Sequence, residues 1–275
     1  MPIRDHRSAA SAWSCGADRV ATVPLTADEE QRFRFSAIAH GEMAIWNPLS
    51  GSTLNEAIEE LRLPADARVL DLGCGRAEAL RRVVERYDAH GVGVDLSPFA
   101  LAQARAASME IKHGTLELVE TDALTYMPDA PFDAVLALGP GWERDSFQAL
   151  VRQLYGYVAP GGLLLLADGY WRAEPSAAYL SMLGASRQEM GTHAEHIRQA
   201  IELGLTPLWA ATATTRDWDR YEWRYLGSVE RWAAAHPSDL QRDDFLRRAR
   251  EGRDRYLAGG REQLGFGIYL FRVAG

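Results

Sequence analysis

The sequence has few cysteines and no long apolar run. Only two of its 275 residues are cysteines, Cys15 and Cys74, with no Cys-x-x-Cys pair and no histidine cluster beside them. This argues against a disulfide framework and a zinc site, so we expect no bound metal. The longest aliphatic run, residues 163–167, is too short to span a bilayer, and the first fifteen residues lack the apolar core of a signal peptide. We therefore expect a cytoplasmic protein that does not enter the membrane.

Positive charge is also scarce. The formal net charge is −8, whereas a protein that binds nucleic acid by releasing counterions from phosphates needs a basic excess. The arginines between residues 247 and 255 are interleaved with aspartate and glutamate, which is typical of a solvated helix face. We therefore expect a small-molecule partner and no nucleic acid. The sequence leaves a monomer and a homodimer equally open.

After residue 64, short apolar runs alternate with helical segments of about a dozen residues. This alternation predicts an α/β fold with a mostly parallel sheet covered by helices on both faces. Seven strands are predicted, near residues 68–72, 91–95, 115–120, 133–138, 163–168, 205–214 and 264–273. Helices are predicted between the first five of them, near residues 77–87, 98–107 and 145–158.

The chain is predicted to have four parts. They are an N-terminal arm and lid (1–52), a ligand-binding core (53–216), a helical cap inserted between the last two strands (217–260) and the closing strand (261–275). Three capping boxes predict helix starts, at Thr53 with Glu56, at Thr192 with Glu195 and at Ser238 with Gln241. One apolar face of the cap recurs every three or four residues, at Trp218, Tyr221, Tyr225, Val229 and Trp232.

The most informative stretch is residues 69–79, VLDLGCGRAEA, in which an apolar strand ends in a glycine turn before a helix. Gly73 and Gly75 let the backbone approach a ligand closely, and Asp71 ends the strand. Such a turn lies at the sheet edge where open α/β folds bind ligands. Asp95, at the end of the second strand, is well placed to accept hydrogen bonds from both hydroxyls of a ribose. These residues together predict a ligand of adenosine type.

NAD is the main competing ligand. Its fingerprint requires a third glycine where the first helix packs on the strand, and this sequence has Glu78 there. A glutamate is too large for that packing and repels a diphosphate. S-adenosylmethionine (SAM) has no phosphate, and its ammonium and sulfonium groups favour an acid such as Asp71 nearby. The residues therefore favour SAM over NAD.

Five motifs follow in order: VLDLGCG (69–75), GVGVD (91–95), TDA (121–123), FDAVLALG (132–139) and VAPGG (158–162). As a set, over residues 67–168, they resemble the class I SAM-dependent methyltransferases. The resemblance implies a Rossmann-like sheet, SAM as cofactor and S-adenosylhomocysteine (SAH) as product. It also implies the cofactor-binding residues: Asp71, Gly73 and Gly75 at the methionyl end, Asp95 at the ribose, Asp122 at the adenine amino group and Ala123 beside the adenine, with Cys74, Leu96, Leu138 and Gly139 as neighbours. Cys74 is interpreted as a small filler, and Ala77 departs from the usual third glycine.

The whole chain also resembles a bacterial group of the broad ubiquinone-biosynthesis-like type. The resemblance is carried by YWR at 170–172, WDRYEW at 218–223, the pair His236-Pro237 and LGFG at 264–267. It supports the fold and the cofactor but not an acceptor. The fourth strand lacks the Asn/Asp-Pro-Pro-Tyr type of motif found in amino-directed nucleic-acid and glutamine methyltransferases, and two cysteines are too few for an arsenite methyltransferase.

The acceptor pocket is expected at the ends of the fourth and fifth strands, where the loops are dense in aromatic and ionisable residues. Predicted acceptor-binding residues are Trp46, Trp142, Tyr170, Trp171, Arg172 and Trp223. Candidate catalytic residues are His40, Glu143 and Tyr170, with His40 and Trp46 in a lid. Core packing of the aromatics, a structural hydrogen bond at His40 and a surface or dimer contact at Trp223 remain open alternatives.

The sequence therefore predicts a SAM-dependent methyltransferase acting on a small molecule. Two alternatives stay open. One is a SAM-binding sensor or scaffold without transferase activity, which an occluded or base-free acceptor pocket would favour. The other is a protein or RNA methyltransferase, which an open, flat and charged mouth would favour.

Overall fold

The structure is a computed structural model, and it describes residues 24–41, 43–140 and 146–275. Residues 1–23 of the predicted N-terminal arm and lid, including Cys15, lie outside the described residues. The same holds for two predicted site residues, Trp142 and Glu143.

A single sheet of seven strands organises the fold. The strands are β1 (Arg68–Leu72), β2 (His90–Asp95), β3 (Thr115–Glu120), β4 (Phe132–Leu138), β5 (Val158–Trp171), β6 (Thr206–Thr212) and β7 (Leu264–Arg272). Their order is β3-β2-β1-β4-β5-β7-β6. The first five are parallel, and β7 runs antiparallel to both of its neighbours. The prediction of a seven-stranded, mostly parallel α/β sheet is confirmed.

Helices connect the strands and cover the sheet. The described residues contain α1 (Ala27–His40), α2 (Gly51–Leu61), α3 (Glu78–Tyr87), α4 (Pro98–Ser108), α5 (Phe147–Tyr155), α6 (Ala177–Leu183), α7 (His193–Glu202), α8 (Thr215–Ala235), α9 (Arg242–Arg255) and α10 (Arg261–Gln263). A 3₁₀ turn at Arg187–Glu189 precedes α7, and a π-helical turn at Tyr256–Gly260 joins α9 to α10. Among the described residues, none of these helices is long and apolar enough to cross a membrane.

Side-chain capping marks where most of the helices begin. The capping box at Thr192 starts α7 as predicted. The other two predicted starts are wrong. Helix α2 begins before Thr53 because the hydroxyl of Ser50 accepts the backbone N–H of Thr53 at 3.0 Å. Helix α9 begins after the predicted Ser238 box, and Asp239 instead accepts a backbone N–H just ahead of the helix at 2.9 Å.

The core lies on both faces of the sheet, because successive side chains of each strand point to opposite faces. On one face, Val69 packs in a cluster with Leu80 of α3. On the other face, its neighbour Leu70 packs in a cluster with Leu150 of α5. Strands covered on both sides are buried along their length, and in β1 every residue but the first is buried, the acid Asp71 included.

A third, smaller core joins the N-terminal helix to the inserted helices. Ala39 of α1 packs with Val229 of α8 and Phe245 of α9. From here on, the cap means α1 together with α8 and α9, which is more than the inserted segment 217–260 that the sequence predicts. The sequence did not predict α1, because its apolar residues do not follow one stripe, and it treated the N-terminal lid and the 217–260 insertion as separate parts. The two pack together around one core.

Candidate functional site

A cavity of about 430 Å³ lies at the carboxyl edge of the sheet, beneath the cap. It is bounded by the turn after β1, the ends of β2 and β4, and residues of α1 and α8. All ten residues predicted to bind the cofactor line it: Asp71, Gly73, Cys74, Gly75, Asp95, Leu96, Asp122, Ala123, Leu138 and Gly139. The structure therefore brings the predicted motifs together in one site.

The turn after β1 owes its shape to left-handed backbone conformations. Gly73 and Gly75 have φ angles of 73° and 54°, which L side chains rarely adopt. Asp95 holds the turn in place, because its two carboxylate oxygens accept the backbone N–H groups of Gly75 at 2.7 Å and Ser97 at 2.8 Å. A carboxylate has about four lone-pair positions, so Asp95 retains acceptor capacity for ligand hydroxyls.

The first acid of the site is deeply buried. Asp71 is 3% exposed, and burial together with the neighbouring charge of Asp95 raises its pKa to about 8. Burial also raises the pKa of Asp95, although its backbone hydrogen bonds oppose the change. Two acids crowded away from water favour a cation between or beside them, because a positive charge relieves their repulsion.

Cys74 lines the cavity as a packed thiol. Burial, and then the nearby Asp71 and Asp95, raise the pKa of the thiol well above its ordinary value. Its sulfur lies 3.0 Å from the position that a β-carbon on Gly93 would occupy, so the thiol fills space between the turn and β2. A thiol with a raised pKa is a poor nucleophile. This geometry agrees with the prediction of a small filler.

Two charged residues follow the glycines. Glu78 forms ion pairs with Arg81 at 3.0 Å and Arg82 at 2.7 Å, so its negative charge is largely compensated. The argument that Glu78 would repel a diphosphate is therefore weaker than the sequence suggested.

Arg76 donates from Nη1 to the carbonyl of Met43 at 3.0 Å, while its Nε is buried without a partner among the described residues.

Residues 43–50 form a strap that closes one side of the cavity. The indole of Trp46 lies 3.5 Å from the position of a β-carbon on Gly75, and its N–H donates to the carbonyl of Met43 at 3.1 Å. The amide of Asn47 donates to the carbonyl of Leu138, at the end of β4, at 3.1 Å. The strap therefore spans the glycine turn and β4, as the predicted lid position of Trp46 requires.

His40 lies behind this strap in the cap. It is 7% exposed and stacks on Trp46, with ring centroids 4.6 Å apart. Its Nδ1 is 2.8 Å from the carbonyl oxygen of Ser36, and its Nε2 is 3.1 Å from the hydroxyl of Tyr221. Burial lowers the pKa of His40 to about 4. The predicted role of general base is not supported, because a base with so low a pKa holds a proton poorly at neutral pH.

Tyr221 is a cavity residue that the sequence did not single out. The predicted apolar face of α8 included it as a packing residue and directed Trp223 toward the pocket instead. In the structure Tyr221 lines the cavity, whereas Trp223 is 51% exposed and does not. The correction follows from helix geometry, because the face that packs on α1 also overlooks the cavity. The surface alternative for Trp223 matches its position.

Three residues predicted at the end of β5 lie outside the cavity. Tyr170 is 7% exposed and pairs across the sheet with Gly265 of β7, over which its ring packs. Trp171 is 1% exposed, and its indole N–H donates to a backbone carbonyl at 3.0 Å. Arg172 donates to the hydroxyl of Thr215 at 2.9 Å. Since β5 continues beyond the predicted end, these side chains pack in the protein instead of lining the mouth.

Trp142 and Glu143 lie outside the described residues, so their predicted roles stay predictions. Within residues 24–41, 43–140 and 146–275, no group of three or more histidine, cysteine, aspartate or glutamate side chains is arranged to hold a metal ion.

The chain matches a family model described as a methyltransferase domain, over residues 69–162. It is 26% identical over 243 residues to the protein YjhP of Escherichia coli, covering 86% of this chain and 96% of YjhP. The X-ray structure of YjhP superposes with a TM-score of 0.81, covering 88% of this chain and all of that chain. A SAM-dependent methyltransferase from Thiobacillus denitrificans, crystallised with SAH, superposes with a TM-score of 0.78 at 28% identity, covering 86% of this chain and 97% of that one.

Two relatives carry the names of defined reactions. The chain is 28% identical over 202 residues to phosphoethanolamine N-methyltransferase 1 of Arabidopsis thaliana, and 29% identical over 153 residues to trans-aconitate 2-methyltransferase of Methylobacterium radiotolerans. These alignments cover 70% and 52% of this chain but only 39% and 57% of the two enzymes. The matched domain, the SAH-bound neighbour and the ordered motifs around one cavity lead to the same result. These findings identify a methyltransferase domain at residues 69–162 of a Rossmann-like fold, and they show an enzyme that uses SAM as its cofactor.

Proposed function

We propose that this enzyme transfers the methyl group of SAM to a small molecule held between the glycine turn and the cap. One observation carries the proposal: the ten predicted cofactor residues line a single cavity whose remaining wall includes Trp46 of the strap and His40 and Tyr221 of the cap. The cavity volume of about 430 Å³ is in the range of small-molecule sites.

The residues of the cavity fit SAM by charge and by hydrogen bonding. Asp71 would lie at its cationic methionyl end, and the unpartnered Nε of Arg76 would donate to its carboxylate. Asp95 would accept from the ribose hydroxyls and Asp122 from the adenine amino group. When bound, SAM supplies a methyl group on a sulfonium. The work of the chain is then to orient the acceptor and exclude water, which raises the effective concentration of the reacting atoms.

A small acceptor is supported by the covered mouth. The strap is held by the bonds of Asn47 and Arg76, and the cap adds α1 and α8 above it. A protein or RNA substrate needs an open surface, and the net charge of −8 further disfavours RNA. The relatives named for phosphoethanolamine and trans-aconitate support small metabolites as the class. The two cysteines of the chain support a reducing compartment, and we propose the cytoplasm.

The test is a transfer assay. The purified enzyme is incubated with methyl-labelled SAM and a panel of small amines, alcohols, thiols and carboxylic acids, including phosphoethanolamine and trans-aconitate, and SAH and labelled products are measured. Label in a small molecule, lost in Asp95→Ala and kept in the surface control Asp254→Ala, supports the proposal. Tight SAM binding with no transfer to any extracted metabolite would favour a sensor or scaffold instead. Transfer to protein or RNA in an extract would contradict the small-molecule class.

A further inference from the structure

A chain of hydrogen bonds runs from the cap into the cavity. The Ser36 carbonyl and the His40 ring come from α1, and the Tyr221 hydroxyl comes from α8. Trp46 stacks on His40 and also packs against Gly75 of the cofactor turn. Two rings, those of His40 and Trp46, therefore lie between the Tyr221 hydroxyl and the turn, and Tyr221 belongs to the cap wall of the same cavity.

The direction of these hydrogen bonds follows from the Ser36 carbonyl. A carbonyl oxygen can only accept, so its 2.8 Å contact places a hydrogen on Nδ1 of His40, and the Ser36 hydroxyl, 3.2 Å from the same nitrogen, is then a second acceptor. In a neutral imidazole the other nitrogen then has a free lone pair. The hydroxyl of Tyr221, 3.1 Å away, must therefore donate its single hydrogen to Nε2 of His40.

The surroundings keep His40 neutral. It stacks on Trp46 and meets the edge of Tyr225, neither of which carries a charge at neutral pH, and burial keeps its pKa near 4. The nearby carboxyl on α8 is Glu222, which acts on Tyr221 and Tyr225 and whose own pKa is raised to about 7 by burial. Glu222 ionises within the neutral pH range, but burial and this negative charge both raise the pKa of Tyr221 and so keep that hydroxyl protonated. The donor direction from Tyr221 to His40 is therefore preserved.

We infer that Tyr221 determines acceptor specificity by offering the cavity only oxygen lone pairs, so that it selects acceptors that bring an N–H, O–H or S–H group. This inference rests on the proposed function, because it assigns specificity within the same cavity. An amine, alcohol or thiol donates to this oxygen and is held in place. A carboxylate has no hydrogen to donate, so it would leave the Tyr221 oxygen without a hydrogen-bond donor. An unsatisfied acceptor in a buried site weakens binding. At the Tyr221 oxygen, amines, alcohols and thiols are thus favoured over carboxylates, whereas Arg32, which also lines the cavity, would pair with a carboxylate elsewhere on the same acceptor.

The matched variants are Tyr221→Phe and Tyr225→Phe. Each loses one hydroxyl from α8 and contacts the same histidine ring, but only Tyr221 lines the cavity and bonds to Nε2. With the preferred N–H, O–H or S–H acceptor, Tyr221→Phe should raise KM about 10- to 100-fold and reduce the preference over a carboxylate of the same carbon skeleton by a similar factor. SAH affinity should be unchanged, and Tyr225→Phe should leave both the KM and the preference as they are.

The hydrogen-bond direction is tested without turnover, in SAH-bound protein with ¹⁵N-labelled histidine. We expect His40 to be neutral with hydrogen on Nδ1 from pH 6 to 9, and Tyr221→Phe to shift only its Nε2 resonance. Hydrogen on Nε2, or a charged ring at pH 7, would overturn the inference. So would a carboxylate as the preferred acceptor, or an unchanged preference in Tyr221→Phe. Failure of the wild type to bind SAH would instead refute the proposed function, so the two failures are distinguishable.

Discussion

Asp71 is expected to stabilise the bound cofactor at the expense of the ligand-free fold. Its carboxyl is 3% exposed, and its pKa is raised from 3.8 to about 8. The substitution Asp71→Asn keeps the shape of the side chain and removes the charge. If the reasoning is correct, this one change moves stability and SAM affinity in opposite directions.

The size of the stability change follows from proton linkage. The folded protein keeps the Asp71 proton to higher pH than the unfolded chain does, so the free energy of unfolding falls as pH rises from 3.8 toward 8. At about 1.4 kcal/mol for each pH unit, the loss reaches ~4 kcal/mol at pH 7. The amide of Asp71→Asn needs hydrogen-bond partners of its own, which costs about 1–2 kcal/mol. We therefore expect the ligand-free variant to be more stable than the wild type by about 2 kcal/mol at pH 7.

The change in binding has the opposite sign. Two unit charges 4 Å apart attract by about 4 kcal/mol at an effective dielectric constant of 20. At pH 7 the Asp71 carboxyl must lose its proton before it can attract the sulfonium, and this cost reduces the binding free energy. We expect Asp71→Asn to weaken SAM binding at least about 10-fold, and to weaken SAH binding less because SAH lacks the sulfonium charge.

The assay combines urea unfolding of the ligand-free protein from pH 5 to 9 with calorimetric titration of SAM and SAH at pH 7. The control is Asp254→Asn on α9, whose side chain is 64% exposed and should leave both measurements nearly unchanged. Two results would refute the reasoning: a ligand-free Asp71→Asn that is less stable than the wild type at pH 7, or one that binds SAM as tightly.

Three further predictions concern other parts of the site and its support. Arg76→Gln should weaken SAM and SAH equally, by about 10-fold, because both carry the carboxylate that its free Nε would bind; calorimetric titration would expose unequal losses. His40 binds protons less readily in the folded state, so stability should fall by ~3 kcal/mol as pH drops from 6.5 to about 4, and urea unfolding of His40→Gln should show a flatter pH dependence. Gly265→Ala places a β-carbon 2.1 Å from the ring of Tyr170, so it should lower stability by at least about 2 kcal/mol without changing the SAM affinity of the folded protein; unchanged thermal stability would contradict this packing.

The sheet could be predicted because its strands carry strong local signals. Strands β1 and β3 are predicted with the bounds that the structure gives, since β1 is an apolar run that leads into a glycine turn and β3 alternates apolar and polar residues, as an edge strand does. The helix α1 has a local start signal, the capping box of Thr26 with Glu29, but no apolar stripe, and it packs against α8 and α9, which are distant in sequence. Periodicity reports the side chains of one element, and tertiary contacts of this kind are not visible in it.

The cofactor side of the site was predictable for a related reason. Asp71, Gly73 and Gly75 are neighbours in sequence, and Asp95 ends the adjacent parallel strand, so local pattern and sheet order suffice to place them together. The acceptor side depends on which face of α8 meets the cavity. Tyr221 was therefore interpreted as a core residue until the structure located it.

The central claim is that this cavity binds SAM, and calorimetric titration tests it most directly. SAM, SAH and NAD are titrated separately into the wild type, into Asp95→Ala and into the surface control Asp254→Ala. The account predicts that the control binds SAM as tightly as the wild type does, and likewise SAH. Asp95→Ala should lose at least about 10-fold in affinity for each of the two ligands. NAD should bind none of the three proteins. Binding of NAD without SAM, or full SAM affinity in Asp95→Ala, would contradict it.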